Sequence, residues 1–194
     1  MKKPKIMIII QAALMYIAHI FFFTVFFFEI PEPDDNSLGF LLLGIGAAIT
    51  VVSLVCGVVG IALAAAGLSK GMVSPIKTTL IVKIALIPWY LFNAFYCFYF
   101  IAGLLNPMAL ILIPFGLAIA VFVTYALTVL TGIHDVLYVS GAIKDKRVES
   151  SPMLIIGMVM QFFFVFDVVG AIMIHAAMKK AGAAATESIE KASF

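Results

Sequence analysis

The chain has 194 residues, 64% of them hydrophobic and 11% charged, with a formal net charge of +2 and a mean hydropathy of +1.21. Soluble globular domains are roughly half apolar and a quarter charged, so this composition falls outside their range. Nucleic-acid binding needs a broad basic surface, and the bases here come only in clusters of about three.

The first apolar stretch, residues 6–28, follows Lys2, Lys3 and Lys5, and the loop after it carries Glu29, Glu32, Asp34 and Asp35 with no base. That asymmetry puts the N-terminus in the cytoplasm. The run is too long for a signal peptide and lacks an Ala-x-Ala site, so it reads as a retained helix. Four more stretches follow at 38–68, 80–104, 108–133 and 152–178. A bilayer core of about 30 Å needs roughly 20 apolar residues at 1.5 Å rise, so each is long enough to cross. The predicted fold class is all-α: a polytopic integral membrane protein, a bundle of five transmembrane helices forming one domain over 1–178, with a flexible tail at 179–194.

The second stretch carries a seam of small residues: Gly46, Thr50, Ser53, Gly57, Gly60, Ala64, Gly67 and Gly71 recur at spacings of four and three, and Gly39 continues the register. Such a stripe lets helix backbones approach closely in lipid, against either this chain's own helices or a partner. The third stretch contains Lys83, Pro88 and Asn93. Pro88 predicts a kink, and Lys83, near the interface, is expected to snorkel rather than to pair with Asp167. The link Leu105-Asn106-Pro107 forces a tight hairpin into the fourth helix, itself interrupted by Pro114. Helical spacing at Ile133, Val136, Leu137, Ser140 and Ile143 extends that helix towards Lys144, Lys146 and Arg147. His134 and Asp135 read as an exposed helix end, since two adjacent residues are a weak metal signal.

The fifth stretch holds Gln161, Asp167 and His175 and is followed by Lys179 and Lys180. Five full crossings put those two lysines outside, against the charge rule. A fifth segment that dips in and returns, or a break at Gly170, keeps both termini inside.

Polar residues at membrane depth are hypotheses for function. Counting rise along straight helices puts His19, Asn93 and Asp167 at one mid-membrane level, with Lys83 nearer the rim and Gln161 on the Asp167 face. Cys56 and Cys97 lie in apolar segments, so neither a disulfide nor a metal site is expected. Glycine loops for phosphate and the common hydrolase motifs are missing, so enzyme activity and a cofactor have no support. Expected partners are the lipid bilayer and a membrane-protein partner or second copy, not nucleic acid, with a bacterial plasma membrane as the expected location. Two functions fit: a non-enzymatic accessory or assembly subunit acting through helix packing, which is preferred, or a small transporter or proton/cation pathway around Asp167.

Overall fold

The computed structural model describes residues 3–27, 37–68, 76–103, 112–163 and 166–192. Among them the regular structure is entirely helical: α1 (Lys3–Phe27), α2 (Ser37–Leu68), α3 (Ile76–Ala85), α4 (Ile87–Gly103), α5 (Leu112–Lys144), α6 (Pro152–Met160) and α7 (Phe166–Ala192). Pro4–Val25, Leu38–Gly67 and Pro114–Lys144 are long and apolar enough to cross a membrane, and α3 with α4 makes a fourth span if taken as one bent rod. Their outer faces are oily. Phe40, Leu91, Phe98, Phe115 and Phe122 are each at least 67% exposed, more apolar surface than a water-soluble monomer presents.

α1 and α2 form the most extensive helix pair, and the small-residue seam makes it possible. Gly46, Thr50, Ser53, Gly57, Gly60, Ala64 and Gly67 are all buried. A Cβ on Gly46 would meet Phe21 and Phe22, one on Gly57 would meet the Gln11 side chain, and one on Gly60 would meet Met7 and His134. Ser53 Oγ donates to the Gln11 carbonyl at 2.8 Å, adding a directional bond where oily packing alone has little grip. α5 lies against the other edge of α2. Gly71 and the 105–107 hairpin lie outside the described residues.

The third predicted helix is two helices bent by 40°. Pro88 has no amide hydrogen, so the Ile84 carbonyl loses its partner four residues on. The ladder closes around the gap through Leu86 N to Val82 O and Tyr90 N to Leu86 O, both 2.9 Å. Tyr16 from α1 wedges into the break, where its hydroxyl donates to the Ala85 carbonyl. A side chain inserted into the helical ladder is a recognised cause of a bend.

The fifth predicted crossing departs most from expectation. Instead of one rod over 152–178, α6 and α7 run antiparallel and pack on each other. Gly157 and Gly170 meet at the crossing, where a Cβ on Gly170 would sit 2.6 Å from the Gly157 carbonyl oxygen. Nearer the open end, Leu154 and Ile174 share a buried cluster with Ile76, Tyr138 and Val139. The chain therefore enters along α6 for about 14 Å and comes back along α7. Ser151, in extended conformation, starts α6 by accepting from the Leu154 amide, with Pro152 behind it, a favourable N-terminal pairing of cap and proline. Lys179 and Lys180 consequently return to the end of the bundle where α1 and α3 begin and α5 finishes.

The tail differs too: α7 stays helical through Ala192.

Candidate functional site: a buried lysine between two carboxylates

The bend in α3–α4, the straight face of α5 and the tip of the α6–α7 hairpin converge on Lys83. This lysine is fully buried, as are Asp135, Gln161 and Asp167. Its Nζ stands 3.5 Å from Asp167 Oδ2 and donates to Gln161 Oε1. Asp135, one helix over, puts a second carboxylate within its electrostatic reach. Burying an ammonium costs several kcal/mol unless charge and hydrogen bonds compensate it, and here both are supplied.

Each element brings its residue to the site for a local reason. Asp167 is in the first turn of α7, where unpaired amides and the helix dipole favour a negative group. Gln161 caps the end of α6 and presses against Gly132 of α5, where a Cβ would meet the Gln161 carbonyl oxygen at 2.9 Å. Only a glycine lets the hairpin tip come this near. On α5, Thr124, Thr128 and Thr131 return their hydroxyls to the carbonyls four residues back at 2.8, 3.1 and 2.9 Å, so their polar groups are satisfied inside an apolar bundle. Tyr90 links the two sides: its hydroxyl is 3.3 Å from Thr128 Oγ1 and 3.5 Å from Asp167 Oδ2.

The electrostatic count is uneven. One buried ammonium faces two buried carboxyl groups, so the cluster carries an excess negative charge unless it takes up a proton or a cation. Within it, Gln161 Nε2 and Asp167 Oδ1 find no hydrogen-bond partner among the described residues; nor do the Gln11 amide and both His134 ring nitrogens, which face Gly57 and Gly60 of α2. Buried polar atoms in this condition are normally satisfied by water or an ion. Among the described residues no group of three or more His, Cys, Asp or Glu is placed to hold a metal ion.

Of the five polar residues expected to converge, Lys83, Gln161 and Asp167 do so. His19 and Asn93 do not. The His19 ring packs on Trp89 at 5.2 Å and Tyr96 at 5.4 Å between centroids, and Asn93 Nδ2 donates to the Trp89 carbonyl at 3.2 Å. The common level failed because depth was counted along a straight fifth helix, whereas Asp167 sits just past a reversal. The snorkelling expected of Lys83 is likewise overturned: α7 and α5 cover it and supply its counter-charges. His134 and Asp135 are not an exposed helix end but are 1% and 0% exposed, since α5 runs on to Lys144. A sequence signal for Asp135 did exist. Thr124, Thr128, Thr131 and Asp135 repeat at four, three and four, a single stripe on one helix face.

Neither a curated protein nor a solved structure matches the chain. One family model does, over residues 3–180, and by that match the chain belongs to the family of unknown function DUF6652.

Proposed function

We propose that this is a small multi-pass membrane protein that couples transport to protonation of the Lys83–Asp135–Asp167 cluster. Four crossings, formed by α1, α2, the bent α3–α4 and α5, enclose a re-entrant hairpin of α6 and α7, with both termini on the cytoplasmic side. Charge supports this topology: Lys3, Lys5, Lys77, Lys144, Lys146, Arg147, Lys179 and Lys180 then all lie at one rim.

The observation that carries the transport reading is the unequal pairing of one buried lysine with two buried carboxyl groups at a hairpin tip. Ionisable groups inside a membrane are costly and mark ion or proton routes, and short half-spanning helices place such sites near the midplane of transporters. A cluster with one surplus acid alternates between a proton-loaded neutral state and an unloaded anionic one. Tyr90 and Thr128 lead from Asp167 along α5 as a hydroxyl path. The accessory-subunit reading rests on the small-residue seam, the minimal loops and the missing catalytic motifs; of these, the seam packs against α1 and α5 of this chain.

The test is proton flux in liposomes holding the purified protein and an internal pH dye, under an imposed pH gradient with potassium and valinomycin clamping the potential. Wild type should acidify the lumen faster than empty liposomes, and Asp167→Asn should reduce the rate to the empty-liposome level while remaining folded and monodisperse in detergent. Flux that survives Asp167→Asn, or a wild-type rate no higher than that of empty liposomes, refutes the reading.

A further inference from the structure

Away from the lysine cluster, the halves of α1, α2, α4 and α5 remote from the basic rim do not close on one another. They leave a cavity of about 420 Å³, within the range that takes a drug-sized molecule. Nearly all of its wall is aliphatic or aromatic. Ala47, Val51, Ile119 and Phe122, which line it, are also exposed, and they sit well inside their helices, so the mouth opens sideways between α2 and α5.

The floor is different. Trp89 lines it while being only 1% exposed, and among the described residues its Nε1 has no acceptor; His19, alongside it, has Nε2 in the same condition. An indole nitrogen can only donate. Leaving a buried donor unmet costs about 1–3 kcal/mol, and an apolar cavity is a poor host for water, which needs two or more polar partners. Among the described residues the lining contains no Lys, Arg, Asp or Glu, so a charged ligand would be desolvated without compensation.

We propose that this cavity binds an uncharged, largely apolar molecule bearing one hydrogen-bond acceptor, a carbonyl or ester oxygen. The molecule enters sideways from the hydrocarbon layer and places that oxygen against Trp89 Nε1, with His19 and Asn93 beside it. The acceptor can belong to a membrane lipid's acyl ester or to a separate solute. This site shares no residue with the acid–lysine cluster and stands whether or not that cluster moves protons.

Trp89 is the only tryptophan in the chain, so its fluorescence reports the cavity directly. In detergent, methyl 10-bromodecanoate should quench it saturably and be displaced by methyl decanoate. 1-Bromododecane, similar in size but without an acceptor, should bind roughly tenfold more weakly. Ala47→Phe at the mouth and Ala120→Leu on the wall should each remove the saturable phase with an unchanged melting temperature. In vesicles of phosphatidylcholine brominated on its acyl chains, relief of quenching by methyl decanoate assigns the site to lipid, and no relief assigns it to a solute. Equal, unsaturable quenching by the ester and the bromoalkane, or undiminished ester binding in both filled variants, overturns the proposal.

Discussion

Two of the glycine-dependent contacts in this molecule, along α1–α2 and at the α6–α7 crossing, use the residue differently. Along α1–α2 the glycines are many and their neighbours are side chains: Gly57 faces the movable end of Gln11 and Gly46 faces phenylalanine rings. At the α6–α7 crossing there are two, and Gly170 faces the backbone oxygen of Gly157 at 2.6 Å from where its Cβ would be. A side chain can shift by a rotamer. A carbonyl cannot shift without moving its helix, so the sparser pairing is the more sensitive one, and it is the pairing that positions Gln161 and Asp167.

Substitutions can break this contrast or sharpen it, and melting in detergent reads each. The largest effect is expected at Lys83→Met, which leaves two buried carboxyl groups without their cation and should destabilise by about 3–5 kcal/mol. Adding Asp167→Leu should restore a good part of that loss; no recovery in the double variant would mean that Lys83 and Asp167 do not act as a pair. Next comes Gly170→Ala, expected to cost about 2–3 kcal/mol through overpacking against backbone and to loosen Lys83 from Gln161. Ser151→Ala, which removes the cap of α6, should cost about 1 kcal/mol. Gly57→Ala should come last, at under about 1 kcal/mol, because Gln11 can yield and alanine is the better helix former. If Gly57→Ala proves worse than Gly170→Ala, the distinction between soft and rigid neighbours is wrong.

The long helices were legible in the sequence because length and oiliness are local properties. Predicted stretches 6–28 and 38–68 nearly coincide with α1 (Lys3–Phe27) and α2 (Ser37–Leu68). The reversal after Gln161 was not, because Gln161-Phe162-Phe163 carries neither proline nor glycine to punctuate it. What makes that reversal favourable lies far along the chain: Lys83 on α3, Gly132 on α5 and a crossing glycine on each arm. The one local hint was electrical, in Lys179 and Lys180, which a fifth full crossing would have put on the side that the charge rule disfavours. Within the site, Lys83 and Asp167 were visible as isolated oddities of composition. Their partnership depended on the hairpin, and was hidden with it.

The shortness of α6 bears on the order of assembly. Nine helical residues reach less than halfway through a hydrocarbon layer, and a half-inserted segment facing lipid would strand its end carbonyls and the Asp167 side chain. In the proposed re-entrant topology the hairpin therefore depends on α3 and α5 to receive it. Until that docking step Lys83 has only Asp135 of α5 for a counter-charge, and the arrival of Asp167 and Gln161 completes its coordination.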